Sequence, residues 1–547
     1  MVDAKSTKIA DLLFPDIESV PDETPDRNLP KGAAVTRYAP SPTGFLHIGG
    51  VYTALISERM AHQSDGVFYL RIEDTDKQRE IADGVRLIAS GLGKFGIRVD
   101  EGVHPDMTET GAYGPYIQSE RLPIYHTFIK KLVADGNAYP CFCTSEELDQ
   151  TRETQELQKI KTGYYGRWAK HRVITSEEVE ERLGRGEQFA VRLKSRGVEG
   201  QKIKFTDLIK GDLNLSANEN DAILLKSDGY PTYHWAHCVD DHLMRTTQVI
   251  RGDEWLPSVP LHTELFTLMG WELPQYAHLA PIVKIDEAGS KRKLSKRKDP
   301  EANVEYYFEQ GYPIAAVTEY LLNLINSDFE DWRREHPDTP HTEFIVRLEK
   351  ANASGALFDF VKLADVSKAV VSRMSATEVC AAVIEWANQY DAELAAWLAS
   401  NRDEAIKIFA IERTGEKRRK DIAKWSDVRE HIAYFMTDEV VFVRPEKIDT
   451  TTATEILTKT IVLIDFSDSA EEWLAKFRAL ATELGFAPDT KTFKAAPETF
   501  KGHLGDVASV LRLALTGRTN TPDLFELMQV LGEQRVKERL ERALNNL

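Results

Sequence analysis

The chain has little with which to brace itself covalently or to enter a membrane. Four cysteines, Cys141, Cys143, Cys238 and Cys380, are spread over 547 residues. That excludes a disulfide framework and points to a reducing compartment, the cytoplasm. No apolar run approaches the roughly 18 residues of a spanning helix, so no membrane partner is expected. Positive charge is also in short supply: 69 Lys and Arg stand against 87 Asp and Glu, a formal net charge of −18. This lowers the expectation of a nucleic-acid partner but leaves room for a local basic face. There is no internal repeat and no low-complexity tract. Residues 1–32 are acidic and proline-rich and lack the basic segment and apolar core of a secretory signal. They are expected to be either a disordered tail or a strip packed on the domain that follows.

What is present is an ordinary globular composition, 42% hydrophobic and 29% charged, with length for three or four domains. The stretch "TRYAPSPTGFLHIGG" predicts a strand over Ala34–Tyr38, a turn stiffened by two prolines, and a helix that begins with small residues. A helix start carries unpaired N–H groups and the positive end of the dipole, and glycines let a phosphate or a base approach the backbone. His47 can donate to a phosphoryl oxygen. Taken alone, such a stretch is equally a tight turn with a surface cap. Further on, "GVFYLRIEDTD" reads as an alternating strand ending in carboxylates, a position where α/β sheets hold ligands. "GPYIQSERLPIYHTFIKKLVADGNAY" reads as a capped amphipathic helix with Tyr125, Phe128, Leu132 and Val133 on one face.

Residues 140–215 change character to short helices and a β-rich piece and read as an insertion between two halves of a sheet domain. The α/β pattern then resumes. A glycine-led loop, "KRKLSKRK", places Lys or Arg at six of the eight positions Lys291–Lys298. Alone it is a solvated charge run. Paired with the early turn it makes a two-piece phosphate clamp, one piece supplying an imidazole and helix amides, the other an ammonium. Such a clamp needs no protein nucleophile, because attack of a carboxylate on an α-phosphate builds charge on phosphoryl oxygens that cations and N–H donors stabilise. From Pro313 onward the chain reads as helices without convincing strands.

"APSPTGFLHIGG" with "KLSKR" resembles the two signatures of class I aminoacyl-tRNA synthetases, and the "RYAPSPTG" lead-in resembles the glutamyl-tRNA synthetase branch. Further blocks, "LRIEDTD", "GPYIQSER", "SDGYPTYHWAHCVDDHLM", "VIRGDEWLPSVPLHTELFTLMGW" and the C-terminal tail, follow in family order. The resemblance implies a multidomain α/β plus all-α protein. A Rossmann-like, doubly wound parallel sheet (33–118 and 216–312) would carry an α+β acceptor-end-binding insertion (119–215), preceded by the extension 1–32. A helical stem-contact domain (313–370) and a helical anticodon-binding domain (371–547) would follow. That helical C-terminal half matches the bacterial branch and disfavours a glutaminyl enzyme. The length excludes a truncated relative that modifies a tRNA base.

The implied chemistry is formation of glutamyl-adenylate from L-glutamate and ATP with Mg²⁺, activation depending on bound tRNA, then transfer to the 3′ end of tRNA(Glu). Whether tRNA(Gln) is also charged is left open, and a monomer is the default. His47, Lys293 and Lys296 would be the catalytic set. Pro40, Thr43, Gly49, Gly50, Leu294 and Ser295 would join His47 and Lys296 around ATP. Arg37 with Tyr233 would read the glutamate side-chain carboxylate, Ser41 and Glu73 would meet its ammonium, and Arg251 would meet the other carboxylate. His237 stands where relatives often place a small amide, and its titration would make binding pH-sensitive near neutrality. Arg413, Lys417 and Arg418, expected on one basic helix with Arg419 and Lys420, are candidate tRNA contacts. The C-x-C pair Cys141/Cys143 resembles half of a zinc knuckle. Trp168 and Lys170 stand where the other half would be, and His171 fits only with a shift of frame. With two thiolates the site is not closed, so no zinc is expected.

Overall fold

The computed structural model describes residues 4–17, 24–76, 81, 83–295, 297–415 and 418–547. The chain forms two compact units, residues 1–306 with 321–359, and residues 307–320 with 360–547.

In the first unit the sheet begins where the sequence alternates. β1 (Val35–Tyr38) leads into α2 (Ile48–His62) and then β2 (Val67–Leu70), which pairs parallel to β1 with Val35 opposite Val67. α3 (Gly84–Lys94) crosses to β3 (Glu101–Val103), parallel to β2, and β4 (Glu109–Thr110) closes that edge antiparallel. Preceding all of these is α1 (Ala4–Leu13). The described part of the leader from Ala4 to Ile17 is therefore a packed strip. Ile9, Ala10, Leu13 and Phe14 join one core with Tyr125, Phe128 and Ile129 of α4 (Leu122–Ala134), and Lys130 Nζ donates to the Phe14 and Ile17 carbonyls. Arg27 ties the later leader down through Glu101 at 2.6 Å and the Met244 carbonyl.

The insertion holds β5 (Ala138–Cys141), α5 (Ser145–Leu157), α6 (Ser176–Gly184) and β6 (Ala190–Leu193). β9 (Ile223–Leu225) completes an antiparallel β5–β6–β9 sheet, while the hairpin β7 (Lys202–Asp207) and β8 (Gly211–Ser216) joins the second half of the catalytic region. That half comprises α7 (Tyr233–Leu243), β10 (Gln248–Gly252), α8 (Val259–Met269) and β11 (Gln275–Leu279), with sheet order β10–β11–β7–β8 and parallel β10–β11 and β11–β7 pairs. Thr247, just before β10, donates its N–H to the Val35 carbonyl and accepts the Val35 N–H on Oγ1. β1 and β10 thus start side by side, and the chain winds away from them in opposite directions. A cleft opens at the carboxyl ends of strands where that reversal occurs.

β12 (Ile282–Ile285) and β13 (Lys291–Lys293) form the basic hairpin, and β14 (Ala356–Leu357) pairs parallel with β12. This short strand departs from the expectation of helices alone after Pro313. The second unit is helical around one core that includes Val383, Ile408, Ile432, Leu457, Val510 and Leu540. The basic helix expected at Arg413–Trp425 is not formed. The helix Arg402–Ala410 ends there, with Glu412 and Gly415 in the left-handed region at φ +53° and +99°, and the described residues up to Lys424 run as turn and coil.

Candidate active site

The two sequence signatures meet. A cavity of about 310 Å³ is lined by His47, Gly49 and Gly50 at the start of α2, Glu254 after β10, and Lys293 and Leu294 of the basic hairpin. His47 caps α2, its Nδ1 accepting the Gly49 N–H at 2.9 Å, so its ring proton sits on Nε2. Gly50 must be small, because a Cβ there would lie 2.3 Å from Tyr38 Oη. Lys293 Nζ is held by Glu254 at 2.9 Å, and Arg292 grips Asp299 through two bonds of 2.6 and 2.7 Å. Asp299 also accepts the Ser295 N–H, which shapes the loop. Lys296 lies outside the described residues. In the proline turn the Pro40 carbonyl accepts the Glu73 N–H and the Ser41 carbonyl accepts the Thr43 N–H, leaving the Ser41 and Thr43 side chains at the surface.

A second set of residues lies buried where β1, β2, α7 and β10 converge. Arg37 donates from Nε to Asp241 at 3.2 Å and from Nη1 to the Ile250 carbonyl. Asp241 also takes Arg71 Nη1 at 2.6 Å and His237 Nδ1 at 2.8 Å. Burial would raise this carboxyl, but Arg37, Arg71 and His237 outweigh it and hold it well below the usual carboxylate range. Glu73 accepts from Arg71 at 3.2 Å, and burial pushes it upward against Arg71 and Arg37. Asp240 collects Arg121, Gln118 and Tyr125. Arg251 donates to Tyr233 Oη at 3.0 Å, and the Tyr233 ring packs against Trp255, centroids 4.2 Å apart.

His237 departs from expectation. It is fully buried, with Nδ1 on Asp241 and Nε2 accepting from Tyr276 Oη at 2.9 Å. Burial lowers its pKa to about 3 despite Asp241, so it does not titrate near neutrality. Sequence reasoning missed Asp241, Asp240 and Arg71, although "HCVDDHL" carried a signal. Two adjacent acids on a helix whose other residues are apolar, aromatic or histidine, one of them four residues after His237, need buried partners.

The fold adds a residue to the cysteine pair. The fold brings His171 to Cys141 and Cys143, their donor atoms all within 4.8 Å of one another. Cys143 Sγ lies 3.6 Å from His171 Nδ1, and Tyr164 Oη lies 3.5 and 3.4 Å from the sulfurs of Cys141 and Cys143. Zinc bonded at about 2.3 Å to sulfur and 2.0 Å to nitrogen or oxygen has tetrahedral edges of about 3.5–3.8 Å. Cys141, Cys143 and His171 are three donors of the kinds zinc takes, and among the described residues the group includes no fourth Cys, His, Asp or Glu. The expectation of an open two-thiolate site rested on spacing; a 3-10 turn at Lys170–Val173 turns the imidazole inward.

Of the candidate tRNA contacts, Arg413 is buried, donating to the carbonyls of Phe409, Val371 and Met374. Lys417 lies outside the described residues and Arg418 is partly exposed on the loop. Arg419, Lys420 and Arg518 line a cavity of about 700 Å³ with Tyr434.

A parallel sheet reversing beside a helix start with two glycines, with a basic hairpin lining the same cleft, is the setting in which the comparison with class I tRNA synthetases falls. Residues 33–349 match the family described as tRNA synthetases class I (E and Q), catalytic domain, and residues 378–544 match an anticodon binding domain. The chain is 47% identical over 98% of its length to a glutamate–tRNA ligase of Acetivibrio thermocellus, 99% of which is covered. It is 48% identical to the one from Clostridium beijerinckii, with 98% and 99% covered. The solved structure of a glutamate tRNA ligase from Elizabethkingia meningosepticum in complex with its amino acid superposes with a TM-score of 0.71 at 29% identity, covering 94% of this chain and 99% of that one. The chain belongs to the glutamate–tRNA ligases. Among the described residues no helix is long and apolar enough to cross a membrane.

Proposed function

We propose that this ligase activates glutamate in the cleft where the two signatures meet. One observation carries the reading: His47 and Lys293, 246 residues apart in sequence, line one cavity together with Gly49 and Gly50. ATP lies there, its phosphates facing His47 Nε2–H, the first amides of α2, Lys293 and Lys296, within a turn braced by Pro40 and Thr43 and beside Leu294 and Ser295. Mg²⁺ supplies further charge stabilisation when bound. Glutamate takes the buried set. Arg37 and Tyr233 meet its side-chain carboxylate, Glu73 and Ser41 its ammonium, and Arg251 its other carboxylate. His237 shapes the wall. Charge that develops on the phosphoryl oxygens meets donors already in place, each worth about 100- to 1,000-fold in rate.

The acceptor is tRNA(Glu), its 3′ end entering along the 119–215 insertion and its anticodon part held by the second unit through Arg418 and its basic neighbours; glutamyl-tRNA(Glu) and AMP leave. A monomer in the cytoplasm suffices, and charging of tRNA(Gln) is a second acceptor specificity open to the same site. ATP–pyrophosphate exchange with glutamate or glutamine, with and without tRNA(Glu), tests this. Exchange with glutamate only when tRNA is present is the expected result. No exchange from folded protein under any condition overturns it.

A further inference from the structure

The two buried arginines are held in opposite ways. Arg37 rests on a carboxylate, Asp241, so much of its charge is compensated within the protein. Arg251 is surrounded by neutral acceptors. Its Nε donates to His278 Nε2 at 3.1 Å, its Nη1 to Tyr233 Oη and to His262 Nδ1 at 3.3 Å, and its Nη2 to the Trp255 carbonyl. The Tyr276 ring lies beneath it, 4.8 Å from Cζ. Among the described residues no carboxylate oxygen comes within ion-pair distance, 4.0 Å, of Arg251.

The tautomers follow from the partners. His278 Nδ1 lies 2.6 Å from Asp207 Oδ2 and must donate to it, so Nε2 keeps a lone pair for Arg251. His262 Nδ1 accepts from Arg251, so its proton is on Nε2 and goes to His234 Nδ1 at 3.0 Å. A proton added to His278 Nε2 or His262 Nδ1 would set N–H against N–H beside a guanidinium. Both rings are therefore neutral. Burial and the Arg251 charge also hold His262 and His278 below the ordinary histidine value. Asp207 is itself fixed by the backbone N–H groups of Ile209 and Lys210.

We propose that His262 and His278, with Asp207 behind His278, are positioning residues for glutamate recognition: two neutral imidazoles aim the Arg251 guanidinium and leave its charge uncompensated for a substrate carboxylate. The inference rests on the reading that Arg251 meets glutamate. An anion placed at either imidazole would hold Arg251 equally well and remove what it offers the substrate. A structural role alone would be served as well by that anion, since a carboxylate pairs with arginine more strongly than an imidazole does.

The test is a pair of variants of one shape and different charge, His262→Asn and His262→Asp, assayed in the full chain for aminoacylation at saturating tRNA. The Asn amide oxygen replaces the Nδ1 acceptor, so the KM for glutamate is expected within about threefold of the parent. The Asp carboxylate beside Arg251 stays ionised, and the KM for glutamate is expected to rise about tenfold or more, with the KM for ATP unchanged and the melting temperature no lower than that of His262→Asn. Equal KM values for glutamate in the two variants overturn the proposal. If neither folds, His278→Gln, which keeps an acceptor near Nε2, and His278→Met, which does not, replace them. A raised KM for glutamate only in the Met variant supports the proposal, and equal values overturn it. Arg251→Gln separates the two layers. If it leaves the KM for glutamate unchanged, the assignment of Arg251 to the substrate has failed; if it raises that KM while the paired variants do not differ, only the present inference has.

Discussion

His62 is the best place to test the electrostatics of this fold, because its environment makes a signed prediction. It sits at the last turn of α2, with Nδ1 2.9 Å from Glu58 and Nε2 2.7 Å from Asp100, and its side chain is 17% exposed. Burial lowers its affinity for a proton, but hydrogen bonds to the two carboxylates outweigh that and raise its pKa from 6.5 to about 9. Because the folded state binds the proton more tightly, the stabilisation is fully present below about pH 6.5 and is lost as pH rises through 9. At about 1.4 kcal/mol per pKa unit, a shift of this size is worth about 3 kcal/mol. His62→Gln keeps a polar side chain and removes the charge. At pH 6 it should lower the stability of the first unit by about 3 kcal/mol, and at pH 10 by much less. Denaturant unfolding at a series of pH values, followed by tryptophan fluorescence, reads the difference. A gap between parent and variant that stays constant from pH 6 to 10 refutes the reasoning, since a bridge between two carboxylates would then contribute through packing alone.

Gly50→Ala should cut exchange activity and stability together, because the added Cβ meets Tyr38 Oη at 2.3 Å; overpacking of this kind costs roughly 1–3 kcal/mol. Adding Tyr38→Phe, which removes that oxygen, should restore part of both, and no restoration would locate the clash elsewhere. Elemental analysis of protein prepared without chelator should find about one zinc per chain, lost in Cys143→Ala, and an absence of metal in the parent would return the site to a hydrogen-bonded thiol cluster. Arg413→Ala should lower the unfolding midpoint of the second unit, leaving three carbonyls short of a donor at roughly 1–3 kcal/mol, while tRNA affinity changes little. A weakened tRNA complex with unchanged stability would place its charge at the surface.

Much of the site was legible before any fold was known. The proline turn, the glycine pair after His47 and the basic hairpin are local requirements. A stiff turn, a close backbone approach and a cluster of cations must each be written in consecutive residues, and they survive any change elsewhere. Amphipathic periodicity likewise marked the α4 face, because burial of a helix leaves its 3.6-residue period in the chain. The basic run Lys417–Lys420 misled for the complementary reason: helix propensity and charge said nothing of the turn around Gly415 that breaks it, nor of the helix carbonyls that draw Arg413 inward.

By itself, then, the sequence determined the signatures, the order of strand and helix, and the cationic chemistry they imply, since each depends on residues within a few positions of one another. Only the tertiary structure decided which side chains share a desolvated space. It set Asp241 between Arg37 and Arg71, turned His171 and Tyr164 toward two cysteines, and closed neutral imidazoles around Arg251. Those pairings join residues 11 to 204 positions apart. Whether a buried histidine is charged, or an arginine compensated, depends on what burial brings against it, which no stretch of chain encodes alone.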